Sequence, residues 1–589
     1  MHPLERIRSY LRESDYITVL LWATIIGAII VRSVPAWMNA AWGSDYGIYY
    51  GITDDFLKHP QLFRPYSGWG TSYVYFPVLY IVTAMFQGIT GLGLDFLMPR
   101  VAPIFGGLTV PLLYLIVKEI LGNRKVALAA AAFLTADPFQ LYITSHAAPM
   151  TMGHFFMCLT ILFFIKYRKN RFWTGPLYVS TILLIASHHL TTYFYILFIF
   201  ILLIYRNLQS KEWTPNLKED LFYFIMTVTI TFAYWILIAT PVFRGDFESA
   251  VHMNPWIVVV AFYAIILSIF FVLPRLRKQS WFQRIVAYKP SWPTPKEDLA
   301  KVGVTVTCGV AFTLFFALHN IYDTTFIFLP SSVLYLLPLF IILGLCITGY
   351  RYLDRFPDRA YIKAWLMSIG ISFIFAVITR NQAIYSFRHL EYFSYPFSVM
   401  AGVAVWEMRR YLKKENLRKV FTVAVGALVV ASAATAFSVQ SSTSGFEESI
   451  SSEAMDAVGW MKDNLPHNCT VASDHRLSQI AWMRGFNATS DDAYIIWFCI
   501  NWTDAIKELN ATGKKYERVS YVLIDDIMRD RGIQSNNNET PRPMTNESYE
   551  KFALEPFSLI HREVSQDGKK WAEVYSVNWT YIEAQGNWR

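Results

Sequence analysis

Asp45 follows directly on the first long apolar run of the chain, within Trp42-Gly43-Ser44-Asp45-Tyr46-Gly47-Ile48-Tyr49-Tyr50. A carboxylate at the mouth of a membrane span is a helix N-cap, a solvated loop residue, or an acid/base or metal-binding group. Arg388 occupies a second such place, in Tyr385-Ser-Phe-Arg-His-Leu-Glu-Tyr-Phe393, with Glu391 three residues on and so on the same helical face. An Arg there either closes an ion pair with Glu391 or grips a phosphate, which suits its planar, permanently charged fork. Transfer of a sugar from a polyprenyl phosphate requires both groups. A cation must sit beside the departing phosphate, and a carboxylate must take the acceptor's proton or hold a metal. Further polar residues gather at span ends on the same side, where ionisable groups at membrane depth are costly and mark function. They are Arg64 after the first span, His146 and His154 around the connection between the third and fourth, and His188 and His189 between the fifth and sixth. Asn320 and Asp323 follow the ninth, and Arg380 precedes the twelfth. Singly, each His reads as a satisfied interfacial residue; together they read as the lining of a polar cavity, with Arg380 beside Arg388 toward a phosphate. A divalent metal, Mn or Mg, on Asp45, His146 and His188 is left open, although no tight ligand spacing points to one.

The elements that must position these groups are membrane helices. Of the 589 residues, 54% are hydrophobic, 17% aromatic and only 16% charged, against about 25% charged in an ordinary soluble domain. The net charge of +8 does not indicate nucleic acid, because the basic residues fall in short clusters between apolar runs and report topology instead. Runs long enough to span occur near 16–38, 99–118, 126–144, 149–166, 220–241, 256–274, 302–319, 325–349, 361–379, 386–408 and 420–440, and His188-His189 divide 174–206 into two more. Residues 73–92 are apolar but break at Gly88, Gly91 and Gly93. Basic clusters at Lys118 to Lys125, Lys166 to Arg171, Arg206 to Lys218, Arg275 to Lys301, Arg351 to Arg359 and Arg409 to Lys414 alternate with connections free of Lys and Arg. That alternation requires 73–92 to lie along the outer leaflet without crossing it. The expected protein is polytopic and α-helical, with about thirteen spans in residues 1–440, an external first loop at 39–98, a cytoplasmic N-terminus and no cleaved leader.

From Ser441 the composition turns polar, and 441–589 reads as an extracytoplasmic mixed α/β domain, with a strand pattern at Val519-Ser-Tyr-Val-Leu-Ile524. Seven N-x-[Ser/Thr] sequons fall in it, at Asn468, Asn487, Asn501, Asn510, Asn538, Asn546 and Asn578, and none before it. They are expected to carry glycans. Cys469 and Cys499 lie in the same part, where a disulfide is permitted but not required. Cys158, Cys308 and Cys346 fall inside spans, as small core residues do.

This order of features resembles the GT-C superfamily of membrane glycosyltransferases, and within it the catalytic subunit of oligosaccharyltransferase, including the archaeal AglB family. The residues that carry the resemblance are Asp45-Tyr46, Arg64-Pro65, Gly70-Thr71-Ser72-Tyr73, Pro103-Ile-Phe-Gly-Gly-Leu-Thr109, Tyr114-Leu-Ile-Val-Lys-Glu119, Ala130-Ala-Ala-Phe133 and Pro138. The resemblance implies that Asp45 binds metal and acceptor and that Arg388 contacts the donor phosphate. Three features of the family are missing. Met150-Thr151-Met152 stands where an acidic Asp-x-Asp-like motif is expected, and the long Glu-bearing loop is reduced to 320–325. Asp474-His475-Arg476 and Trp482 lie near the place of the Trp-Trp-Asp-Tyr-Gly motif without reproducing it. The expectation is an oligosaccharyltransferase-like enzyme that moves a sugar or glycan from a polyprenyl or dolichyl (pyro)phosphate to a protein, glycan or lipid acceptor, without strict sequon reading. The alternatives are a divergent metal-dependent oligosaccharyltransferase, a lipid or sugar transporter, and a non-catalytic scaffold.

Overall fold

The computed structural model describes residues 15–209, 214–244, 254–276, 278–280, 295–318, 330–356, 358–379, 384–444, 447–512, 518–533 and 542–586. Asn320, Asp323, Arg380 and Asn538 lie outside the described residues. The first half of the chain forms α1 (Tyr16–Met38), strand β1 (Ala41–Trp42), α2 (Tyr46–Lys58), α3 (Val78–Thr90), α4 (Leu94–Leu121), α5 (Arg124–Ala136), α6 (Pro138–Ile143), α7 (Pro149–Tyr167), α8 (Thr174–Ile185), α9 (His189–Gln209) and α10 (Pro215–Leu237). There follow α11 (Pro255–Leu276), α12 (Pro295–Leu318), α13 (Ser332–Tyr352), α14 (Ala360–Thr379), α15 (Leu390–Tyr411) and α16 (Glu415–Ser444).

Ten of these are long and apolar enough to cross a membrane: α1, α4, α7, α9 to α14 and α16. The protein is an integral membrane protein. Three expected spans deviate for local reasons. Residues 126–144 break because Asp137 caps a new helix beginning at Pro138, accepting from the Phe139 and Gln140 amides. Helix α8 has 12 residues. Helix α15 is long enough at 22 residues, but it carries Glu391 and Glu407, both buried against other helices. Helix α3 has 13 residues, which at about 1.5 Å per residue reaches about 20 Å and falls short of a bilayer core.

Burial sorts the bundle into centre and rim. In α7, 72% of the apolar window is covered by protein, and in α4 61%; in α12 the figure is 6% and in α16 11%. Helices α4 and α7 therefore form the centre of the bundle, while α12 and α16 offer their surface to lipid. A buried Arg knits the centre. Arg32 of α1 donates to Thr144 Oγ1 at 2.9 Å, to the Leu134 carbonyl at 3.1 Å and to the Gln140 side chain. Its charge is satisfied inside the fold, and it fixes the turn from α6 that leads to His146.

The C-terminal part contains β2 (Ser449–Ile450), α17 (Ser452–Asn464), β3 (Thr470–Ala472), α18 (His475–Met483), β4 (Asn487–Ala488), α19 (Trp502–Thr512), β5 (Val519–Asp525), β6 (Phe557–Val564) and β7 (Trp571–Val577). The mixed sheet runs β4-β3-β5-β7-β6, with β3 parallel to β4 and β5 and β7 antiparallel to β5 and β6. Helix α18 begins where the parallel strand β3 ends, the edge at which such sheets present their functional groups. All five cysteines are free, so Cys469 and Cys499 are not joined. Asn468, Asn487, Asn501, Asn546 and Asn578 are exposed, and Asn510 is half-buried.

Candidate active site

The chain leaves α1 and pairs at once with the C-terminal part, Ala41 opposite Ile450 and Trp42 opposite Ser449. Gly43 turns the corner at φ 117°, a conformation open to glycine and rarely to other residues. Asp45 then stands at the N-cap position of α2, yet its side chain makes no capping bond. Its Oδ1 faces α18 instead, 3.2 Å from His475 Nε2, and accepts from Gln479 Nε2 at 3.3 Å. Gln479 Nε2 also lies 2.8 Å from His475 Nε2. Among the described residues no hydrogen bond engages Asp45 Oδ2, and 36% of the side chain stays open.

The approach of α18 follows from two glycines. A Cβ on Gly47 would lie 2.5 Å from the Gln479 carbonyl oxygen, and one on Gly51 would lie 2.6 Å from the Trp482 ring. Glycines four residues apart clear one face of α2, and His475, Gln479 and Trp482 repeat at helical spacing on the facing side of α18. The Trp482 ring stacks on Trp69 at 5.4 Å. The N-terminus of α18 is fixed from within the C-terminal part. Fully buried Arg476 donates to Asp474 at 3.0 Å, to the Ser449 carbonyl at 2.7 Å and to both oxygens of Asp525 at 3.1 and 3.2 Å.

A second carboxylate–imidazole pair crosses the same seam. Glu448 Oε2 lies 3.2 Å from His146 Nε2 and accepts from the Ser44 amide at 3.2 Å. Arg388 approaches from the membrane side. Its Nη1 lies 3.5 Å from Met150 Sδ, and among the described residues no carboxylate stands within ion-pair distance. Glu391 does not close the intrahelical pair with it. Its Oε1 sits 4.0 Å from His154 Nε2, deep among Tyr392 and Tyr395.

Electrostatics tie these groups together. Burial alone would raise the Asp45 carboxyl, but hydrogen bonds from His475 and Gln479 and the Arg388 charge hold it below its usual 3.8. His146 is lowered from 6.5, chiefly by burial, against the pull of Glu448 and Asp45 and with help from Arg388. His188 is lowered well below 6.5 by burial, then by His189 and Arg388. Arg388 thus acts on Asp45, His146 and His188 at once, and among the described residues its guanidinium has no carboxylate partner. The chemistry open to this arrangement is phosphate binding at Arg388 and proton acceptance at Asp45 Oδ2.

The remaining expected residues are placed less centrally. His188 Nδ1 pairs with Thr191 Oγ1 at 2.9 Å, and His189 packs on Phe76 with ring centres 5.3 Å apart. Arg64 pairs with Asp55 at 3.4 Å and lines a shallow cleft with Phe63, Tyr66 and Tyr80. Asp45, His146 and His188 therefore do not converge on one metal; each has a different partner. Among the described residues no group of three or more His, Cys, Asp or Glu is placed to hold a metal ion, so the described side chains alone do not make the expected Mn or Mg site. His475, Gln479 and Glu448 were not expected from sequence. The sequence signal for His475 is the Asp474-His475-Arg476 run, near the place of the family's Trp-Trp-Asp-Tyr-Gly motif.

A cavity of about 470 Å³ lies elsewhere, lined by Arg168, Lys169, Arg206, Asp220 and Tyr361. Arg206 lies in the last turn of α9, about 25 Å along the helix from His189 at its start, at about 1.5 Å per residue. Arg168 and Arg206 share the one carboxylate of Asp220 there, which offsets part of their charge.

No family profile matches the sequence, and no curated protein is similar to it in sequence. Solved structures are similar to it. The archaeal oligosaccharyltransferase AglB from Archaeoglobus fulgidus, in complex with an inhibitory peptide and a dolichol-phosphate, superposes with a TM-score of 0.52 at 14% identity, over 88% of this chain and 70% of that one. The apo form of the A. fulgidus oligosaccharyltransferase gives 0.58 at 12% identity, over 98% and 82%. The same enzyme in complex with Zn and sulfate gives 0.55 at 14%, over 96% and 80%. At these identities the likeness establishes the fold, which is the GT-C fold expected from the resemblance.

Proposed function

We propose that this chain is a membrane glycosyltransferase that moves a sugar or glycan from a polyprenyl or dolichyl (pyro)phosphate to an acceptor on the extracytoplasmic side. One observation carries the reading: the unpaired guanidinium of Arg388 acts on Asp45, a carboxylate with one oxygen bound and one open. Arg388 binds the phosphate and stabilises the charge it gains as the C1–O bond breaks. Asp45 orients the acceptor and takes its proton as the new bond to C1 forms. The fold shared with a dolichol-phosphate-bound oligosaccharyltransferase supports the lipid carrier. The soluble part and its sequons face outward in this reading, with Arg168, Lys169 and Arg206 at the inner surface, as the alternation of basic clusters requires.

The test is turnover of polyprenyl-phospho-hexoses by the full-length protein in nanodiscs, read as free polyprenyl phosphate released. Wild type is expected to turn over at least one of them, with Asp45→Asn and Arg388→Ala inactive yet folded. Equal activity in all three proteins would remove both residues from the mechanism.

A further inference from the structure

Asp45 is pinned at one oxygen only. His475 and Gln479 meet at Oδ1, within 3.2 and 3.3 Å, and with their Nε2 atoms 2.8 Å apart both side chains converge on that one oxygen. Both partners come from α18, on the C-terminal part, more than four hundred residues away (|i−j| 430 and 434). Docking of the two parts does not need this pair. The seam already holds the β1–β2 pairing, the Trp69–Trp482 stack, an Arg484–Asp95 bridge at 2.9 Å and a Lys570–Asn39 hydrogen bond at 3.2 Å. An ion pair with a partly open member adds only about 0–1 kcal/mol to such a seam. Its geometric effect is larger, because it turns Asp45 away from capping α2 and leaves Oδ2 facing outward.

The count of free acceptor atoms also bears on the substrate. An amide nitrogen has its lone pair delocalised into the carbonyl and carries two N–H donors. Making it a nucleophile calls for acceptors on both hydrogens. Glu448 is turned to the seam, its Oε2 on His146 and the Ser44 amide, so the open carboxylate oxygen on which the Arg388 charge acts is Oδ2 of Asp45. A hydroxyl has an available lone pair and one proton to give up, and one oxygen is enough for it.

On the reading of the function given above, we propose that His475 is a positioning residue that holds Asp45 as the base for a hydroxyl acceptor, so that the transfer site is complete only when the C-terminal part is docked. In the step, the acceptor O–H proton passes to Asp45 Oδ2 and the hydroxyl oxygen bonds to C1 of the sugar. The C1–O(phosphate) bond breaks with its electron pair on the phosphate beside Arg388. The charged and titratable groups around Asp45 are His475 and Arg388, which act on it, and His146, Tyr49 and Tyr80, which feel its charge.

The experiment gives full-length protein in nanodiscs a polyprenyl-phospho-hexose with either octyl β-mannoside, as hydroxyl probe, or an Asn-Ala-Thr peptide, as amide probe. Wild type is expected to transfer to the octyl mannoside. His475→Ala is expected to lose about 10–100-fold in kcat with KM little changed, the size seen when a partner that orients a reacting group is removed. The acid limb of its pH profile should move to higher pH, because Asp45 loses the partner that lowers it. His475→Gln, which still donates to Oδ1, should recover most of the rate. Full activity and an unshifted acid limb in His475→Ala, with Asp45→Asn inactive, would overturn the role of His475 and leave the function standing. Equal losses in the Ala and Gln variants, accompanied by proteolytic opening of the seam, would make the pair merely structural and overturn the role too. Transfer to the peptide alone would overturn the hydroxyl assignment, and transfer to neither probe would overturn the functional reading itself.

Discussion

Asp45 and Arg388 have opposite requirements that the fold meets in different ways. The carboxylate must be held in place and kept charged, and the guanidinium must be kept free. Removing the base is expected to slow transfer by about 10²–10⁴-fold, the usual range for general-base catalysis. Arg388→Ala is expected to lose about 10²–10³-fold, the effect of one donor to a developing oxyanion. Donor turnover in matched preparations checks both. The Asp45 carboxyl is depressed in the folded state. Its pairing therefore contributes stability that is complete above the unfolded value near 3.8 and disappears as the pH falls through the lower folded value. Melting curves of wild type and Asp45→Asn are accordingly expected to differ at pH 6 and to converge only once the pH has fallen below the folded value, which lies under 3.8. Among the histidines the sequence alone could not choose. His146 and His188 are both buried and lowered, but their neighbours separate them: His146 faces Glu448 across the seam, and His188 a threonine in the first turn of α9.

At the scale of elements, α2 and α18 form the joint on which the site depends. Gly47→Ala would bring a methyl to 2.5 Å from the Gln479 carbonyl oxygen, and because that neighbour is backbone, α18 must shift. Overpacking of this kind costs about 1–3 kcal/mol, and the expected result is a lower melting temperature with a still larger loss of turnover. Gly27, with no atom within reach of its Cβ, is the control and should tolerate Ala. Arg476 positions the other end of α18. Arg476→Met would leave Asp474 and Asp525, both fully buried, without their cation. Breaking a buried pair in this way costs about 3–5 kcal/mol, which thermal unfolding of the full-length protein would register. The parts of the elements that followed sequence rules were the long uniform ones. The failure came at Asp137-Pro138, where a local cap outcompeted a continuous apolar run.

For the whole molecule, the arrangement is a helical bundle in lipid with a mixed α/β part seated on the loop that follows its first span. Glycan addition at Asn468, Asn487, Asn501, Asn546 and Asn578 on expression through the secretory pathway, read as a glycosidase-sensitive shift in mobility, is the expected outcome of the outward orientation. Unmodified protein in that setting would contradict it. Membrane residence was legible in the sequence because it depends on composition within stretches of about 20 residues, and no distant partner can change that. The same holds for the positions of Asp45 and Arg388 at span mouths, and for the GT-C fold, whose apolar runs and Gly-Pro breaks are local features. The partners of those residues were decided only by the tertiary structure. His475 is 430 positions from Asp45, and Glu391 turned toward His154 instead of the Arg one helical turn away. A contact of that kind depends on how two faces dock, on two glycines, a buried Arg and a stack of tryptophans acting together, and no window of sequence contains that geometry.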